Sequence, residues 1–94
     1  MKEKINYRKE ALVFKALGHP ARIKIVKQLL EKELCVGEVE ERVKLRQANV
    51  SQHLNILRNA GIVDCRREGK KRCYFIIRPR AACELMKCMK RSVK

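Results

Sequence analysis

The chain has 94 residues, and 24 lysines and arginines against 10 aspartates and glutamates give it a formal net charge of +14. A chain of this length folds as one domain over residues 1–94, and its excess of positive charge favours a polyanionic partner. The apolar stretches are too short to span a membrane, and neither a signal peptide nor a lipidation motif is recognisable. We therefore expect a cytoplasmic protein with no membrane partner.

Three short helices are predicted in the first half of the chain. Gly18 ends a first apolar stripe, and the helical period resumes after His19 and Pro20. The two stripes consist of Tyr7, Ala11, Phe14 and Leu17, and of Ile23, Val26, Leu29 and Leu30. A third helix, acidic in composition, is predicted over residues 36–43.

A fourth helix is predicted over residues 47–60, with one apolar side and one polar side. The apolar side is formed by Val50, Leu54 and Leu57, which recur at helical spacing. His53 lies between the two sides, where it either contacts DNA or packs, and packing is favoured. The side chains off the apolar stripe are of the kind that reads base edges: Gln47, Asn49, Ser51, Gln52 and Asn55.

A hairpin is predicted over residues 62–77, because the pattern changes to that of strands on both sides of the charged segment REGKKR. Its basic side chains would supply phosphate or minor-groove contacts, although a solvated ribbon edge has the same composition: Arg66, Arg67, Lys70, Lys71 and Arg72. Cys65 and Cys73 share one face only if the loop has an odd number of residues, and the sequence leaves this register open. We expect both to be structural.

The last helix is predicted to begin at Pro79, and amphipathic helices at both ends of so short a chain suggest a partner chain. Its apolar stripe comprises Ala82, Leu85, Met86, Met89 and Val93. The predicted fold is mainly α with a small β-hairpin, a winged helix-turn-helix with five helices and a two-stranded wing.

Four segments, FKALGHPARIKIVKQLL, ELCVGEVEE, VSQHLNILRNAGIV and RREGKKRCYF, resemble in order and spacing the ArsR/SmtB family of bacterial and archaeal repressors over residues 14–76. The resemblance implies a winged helix that forms a homodimer through its terminal helices. It also implies release from an operator by an inducer, often a metal or metalloid ion.

By the same resemblance, Gln47 to Ala60 correspond to the recognition helix, whose N-terminal half enters the major groove. A two-fold dimer presents two such helices about one turn of double-stranded DNA apart, so the operator is expected to be an imperfect inverted repeat. Arg46 and Ala48 stand where the family commonly has serines, and we expect the charge of Arg46 to replace a phosphate-binding hydroxyl.

The cysteines are the candidate sensing residues, and in an intracellular protein we expect them to be thiols. Cys35 precedes the third helix in the order Cys-x-x-Glu, the layout of a capping box with Glu38, and a helix N-terminus favours thiolate. Arsenic-responsive members have Cys-Val-Cys in this segment, sometimes with a third cysteine, but Gly37 and Glu40 occupy those positions here. A trithiolate site within this helix is therefore excluded.

Cys83 and Cys88 lie about 140° apart around the last helix, so they cannot bind one ion together unless a second subunit contributes. The His and carboxylate ligands of zinc-sensing members are missing from this helix apart from Glu84, which favours soft species such as As(III), Sb(III), Hg(II) or Cu(I).

Two hypotheses for the function follow. The first is a DNA-binding repressor that needs no cofactor to bind DNA and is released by a soft metal, a metalloid, an oxidant or a persulfide acting on Cys35, Cys83 and Cys88. The second is a DNA-binding or architectural regulator without such a switch, whose cysteines are structural. An enzyme is not expected, because the chain contains no recognisable catalytic motif.

Overall fold

The computed structural model describes residues 4–77 and 79–91, with side chains described except at 79–81 and 89–91. The elements in chain order are α1 (Tyr7–Leu17), α2 (Pro20–Glu31), β1 (Leu34–Cys35), α3 (Val36–Val43), α4 (Gln47–Asn59), β2 (Val63–Glu68), β3 (Lys71–Ile76) and α5 (Pro79–Arg91). The five predicted helices and the hairpin are confirmed. Met89 and Val93, both assigned to the stripe of α5, lie outside the described side chains.

Local hydrogen bonds explain where three of the helices begin. The side chains of Asn6 and His19 each accept a backbone N–H of the first turn that follows, at 3.1 Å in both cases. Before α3, the Glu38 carboxylate accepts the Cys35 N–H at 2.8 Å, which is the glutamate half of the predicted capping box. α3 ends at Val43, and the next residue, Lys44, has a φ of 58° that turns the chain toward α4.

The two-stranded wing is confirmed, and β1 extends it to a sheet of three antiparallel strands in the order β1-β3-β2. β1 adds only two pairs, Leu34 with Tyr74 and Cys35 with Cys73. Two residues are too few to show a strand pattern in sequence. The hairpin formed by β2 and β3, which we call the wing, turns through Gly69 and Lys70 between the last paired residues of its strands.

This even loop decides the open question of the wing cysteines. Cys65 pairs with Tyr74, and Cys73 pairs with Arg66. Because paired residues share a face and neighbours along a strand do not, Cys65 and Cys73 lie on opposite faces.

The core lies between α2, α3, α4 and the inner face of the sheet. The side chains that are less than 2% exposed come from all of these elements: Ile25, Val26, Leu34, Val39, Val50, Leu54, Leu57 and Val63. α1 contributes Ala16, and α5 contributes Ala82. The apolar stripe of α1 is not covered by the rest of the chain at Tyr7 and Phe14, which are 78% and 64% exposed. Periodicity reports that one side of a helix is apolar, but not that its own chain covers that side.

Candidate nucleic-acid interface

α4 carries the polar face that the sequence predicts. Val50, Leu54 and Leu57 are fully buried, and this anchors the helix against the core. On the opposite side Gln47, Asn49, Gln52 and Asn55 are exposed, and Ser51 is half-buried. Arg46 immediately precedes the helix and is exposed, so its charge adds to the positive end of the helix dipole. A fixed helix thus presents donors and acceptors outward, beside a site that favours anions.

The end of the wing is strongly basic. Four exposed cationic residues surround the turn, and we call them the wing tip: Arg67, Lys70, Lys71 and Arg72. Arg67 pairs with Arg72 across the two strands, which brings two guanidinium groups to one face of the ribbon. Such a cluster suits a polyanion, because a phosphate between the groups relieves their mutual repulsion.

Arg66 differs from the residues of the wing tip, although its sequence position suggested the same role. Its Nε donates to the Glu33 carboxylate at 2.5 Å, and an Nη lies 3.1 Å from Glu68. The hydrogen bond to Glu33, followed by the charges of Glu33 and Glu68, raises the pKa of Arg66 above its ordinary value. Arg66 therefore joins the wing to the segment before β1 through an ion pair.

An open groove of about 900 Å³ separates α3 from the wing tip. Its α3 side carries three carboxylates, which we call the acidic wall: Glu38, Glu40 and Glu41. The wing side is lined by the cations Lys70, Lys71 and Arg72 together with Glu68, and Gln47 of α4 also lines the groove. The cations of the wing therefore stand across this groove from an anionic surface of their own chain.

His53 packs rather than projecting with the polar residues of α4, as the sequence favoured. It is half-buried; its Nδ1 accepts the Arg22 Nε–H at 3.2 Å, and its ring lies 4.7 Å from that of His19. Burial, and then the charges of His19 and Arg22, lower the pKa of His53. The residue fixes α4 against the start of α2.

The cysteines are not all thiols, which corrects the expectation from sequence. Cys35 and Cys73 form a disulfide, so Cys35 is not a free helix-capping thiolate. Cys73 is 5% exposed and Cys65 is half-buried, whereas Cys83 and Cys88 on α5 are exposed. Within residues 4–77 and the described side chains of α5, there is no cluster of three or more metal-binding side chains.

Sequence reasoning missed the pairing of Cys35 with Cys73 and of Glu33 with Arg66. The only signal for either was residue type, since both pairs form when β3 returns to β1 and Cys35 and Cys73 are 38 residues apart in sequence. In the part of the chain that the structure describes, no helix has the length and apolarity of a membrane span.

α4 is anchored in the core by its apolar side and presents its polar side outward, as the second helix of a helix-turn-helix does. Together with the adjacent basic hairpin, this arrangement defines a winged helix-turn-helix DNA-binding protein. The family model described as bacterial regulatory protein, arsR family, matches residues 19–64. The chain belongs to this family.

Individual relatives agree with this assignment. The biofilm growth-associated repressor of Agrobacterium fabrum is 44% identical over 72 residues, which cover 77% of this chain but only 62% of that protein. HlyU of Vibrio cholerae has a TM-score of 0.80 at 34% identity, covering 93% of this chain and 97% of HlyU. The repressor BigR of Xylella fastidiosa has a TM-score of 0.81 at 33% identity, covering 94% and 90%. HlyU is named a transcriptional activator, and one of its structures is of the reduced protein.

Proposed function

We propose that this protein is a sequence-specific transcriptional repressor that binds double-stranded DNA in the cytoplasm as a homodimer. The observation that carries the proposal is the outward row of amide and hydroxyl groups on α4 next to the wing tip. The amide and hydroxyl groups can discriminate bases, and the cations of the wing tip can neutralise phosphates. The names of the relatives from Agrobacterium and Xylella support repression.

In this proposal α4 enters the major groove from its N-terminal end. Asn49 and Gln52 reach base edges near the centre of the contact, and Gln47, Ser51 and Asn55 extend it along the helix. Arg46 and the wing tip contact the backbone on the two sides of the groove. These backbone contacts contribute affinity and register, while the α4 side chains contribute sequence choice.

One exposed side of α1 supports the proposed dimer. Tyr7 and Phe14, seven residues apart and therefore on the same side of the helix, are each more than half exposed. Phe14 also borders an apolar cavity of about 190 Å³ that extends to Leu85 and Met86 of α5. A large exposed apolar surface is costly in water and marks an interaction site. A second copy that covers it would align two α4 helices by two-fold symmetry, so the target is an imperfect inverted repeat.

We further propose that thiol chemistry releases the repressor. Cys83 and Cys88 are exposed on α5, next to the proposed dimer surface, and Cys35 is one partner of a disulfide. A soft metal or metalloid, an oxidant or a persulfide acting on these residues would change DNA affinity by ordinary linkage. No cofactor is needed for DNA binding itself. The reduced form described for HlyU is consistent with redox control in a related protein.

The test begins with selection of duplexes from a random-sequence library by the fully reduced protein. We expect enrichment of an imperfect inverted repeat bound by two chains, and lower transcription in vitro when that repeat overlaps a promoter. Thiophilic ions, peroxide and persulfide are then added separately to the complex. Failure to enrich any sequence would refute specific DNA binding, and increased transcription would refute repression. An unchanged complex with every reagent would favour a regulator without a thiol switch.

A further inference from the structure

Three side chains lie next to one another on the outer face of the sheet. Cys35 on β1 is paired with Cys73 on β3, and Cys73 is paired with Arg66 on β2. Paired residues on antiparallel strands project to the same face. The disulfide between Cys35 and Cys73 therefore lies on the same face of the sheet as Arg66, at the base of the wing.

The surroundings of this pair suit reversible thiol chemistry. When reduced, Cys35 would sit at the N-cap of α3, and a helix N-terminus favours the negatively charged thiolate. Cys35 also borders the open groove between α3 and the wing, whereas Cys73 is 5% exposed. A reagent therefore reaches Cys35 first. Cys73 is the sulfur that attacks the oxidised Cys35 to form the disulfide, and it is the leaving group when the disulfide is reduced.

The disulfide adds a covalent connection between the wing and the start of α3. β1 contributes two residue pairs to the wing, and the Glu33–Arg66 contact joins the same two segments. The base of the wing is also held by the buried side chains of Val63 and Tyr74 and by the ion pair of Asp64 with Arg58 of α4. A covalent link at Cys35 and Cys73 fixes the wing to the start of α3, from which the acidic wall projects. In that arrangement the wing cations face carboxylates across the groove. An approaching phosphate would therefore meet both the cations of the wing and the carboxylates of the acidic wall.

We propose that Cys35 and Cys73 form a thiol–disulfide switch within one subunit, in which the disulfide holds the wing against the acidic wall and weakens DNA binding. This inference rests on the DNA-binding function proposed above, and it assigns the redox control to the wing rather than to the thiols of α5. The reduced state is the state that represses.

The chemistry needs one oxidant and one reductant, which we take to be a peroxide and a low-molecular-weight thiol. The Cys35 thiolate attacks the O–O bond of the peroxide to give a sulfenic acid and one water or alcohol. The Cys73 thiol then attacks that sulfur, and the S–O bond breaks with release of water as the disulfide forms. For reduction, a thiolate attacks the Cys35 sulfur, Cys73 leaves, and a second thiol resolves the mixed disulfide, so two reductant thiols become one disulfide.

The test compares the reduced and peroxide-treated protein on the selected duplex across a range of salt concentrations. Peptide mapping should find the Cys35–Cys73 disulfide in the treated protein. We expect its affinity to fall about tenfold at low salt, with the log–log salt dependence shallower by about 0.9 for each lost wing contact. Hydrogen exchange of the wing amides should be slower in the disulfide form.

Variants assign the effect to this pair. Cys35→Ser and Cys73→Ala should keep the reduced affinity after peroxide, whereas the matched Cys83→Ser and Cys88→Ser variants should still lose affinity. If the disulfide forms and affinity does not change, or if Cys35→Ser responds like the wild type, the switch is refuted while DNA binding stands. If the reduced protein selects no duplex, the proposed function fails and the switch fails with it.

Discussion

Arg22 of α2 donates its Nε hydrogen to Nδ1 of His53 on α4 at 3.2 Å, and its Nη1 donates to the Ala16 carbonyl at the end of α1 at 3.1 Å. One guanidinium therefore joins three helices beneath the proposed DNA-reading face. Since His53 accepts this hydrogen bond, its Nδ1 carries no proton, and the position of α4 depends on a neutral imidazole.

This relationship predicts a pH effect on stability. The folded protein holds the pKa of His53 below 6.5, the value expected in the unfolded chain. Above pH 6.5 the contribution of neutral His53 to the free energy of unfolding is fully present. As the pH falls, the unfolded chain takes up the proton first, so this stability is lost between pH 6.5 and the lowered pKa of the folded protein. Urea unfolding at about pH 7.5 and about pH 5.5 should show a larger loss for the wild type than for His53→Gln. Parallel pH profiles would contradict this.

Arg66 and Arg67 are adjacent in sequence and provide a matched test of the wing. Arg67 is an exposed residue of the wing tip, whereas Arg66 is bound to Glu33 and Glu68. We expect Arg67→Ala to reduce the log–log salt dependence of DNA binding by about 0.9, and Arg66→Ala to reduce it by clearly less. Anisotropy titrations at several salt concentrations measure both slopes. Equal changes would mean that Arg66 also neutralises a phosphate.

Asn49 and Asn59 test the assignment of base reading to the first half of α4. Both are exposed asparagines of the same helix, but Asn59 is its last residue. Asn49→Ala should weaken binding to the selected duplex by about 1–3 kcal/mol, because a base edge loses its hydrogen-bonding partner. Binding to a random duplex should change little, and Asn59→Ala should be close to wild type on both. A uniform loss on both duplexes would instead assign Asn49 to the backbone.

Phe14 tests the proposed dimer surface. Its ring is 64% exposed on α1 and borders the apolar cavity that extends to α5. Phe14→Glu would bury an unpaired charge in the dimer, so we expect monomers in sedimentation at concentrations where the wild type is dimeric. Asn59→Glu makes the same change in charge at the far end of α4 and should leave the dimer intact. A dimeric Phe14→Glu protein would exclude this side of α1 from the interface.

Lys44 offers a stabilising substitution in the turn between α3 and α4. Its φ of 58° is in the left-handed region, which favours glycine, whereas Lys32, which ends α2, has an extended φ of −172°. Lys44→Gly should raise the free energy of unfolding by up to about 1 kcal/mol, because relief of the Cβ clash exceeds the added entropy of the unfolded chain. Lys32→Gly gains no such relief and should be destabilising. Urea unfolding of the two variants measures the contrast.

The sequence by itself determined the features that depend on near neighbours. The predicted bounds of α3 coincide with the observed helix, and α4 differs by one residue at its end. Val50, Leu54 and Leu57 are buried and Asn49, Gln52 and Asn55 are exposed, as their spacing requires. Helical period, capping side chains and breakers act within a few residues, so they can be read directly along the chain.

Only the tertiary structure decided which distant groups meet. The two-residue wing turn sets the register that separates Cys65 from Cys73, and a turn one residue longer would have reversed that result. Three further features depend on which distant segments pack together. They are the disulfide of Cys35 with Cys73, the ion pairs of Arg66 and the exposed side of α1. Residue type reports what a side chain can bind, whereas folding selects its partner through packing of the whole chain.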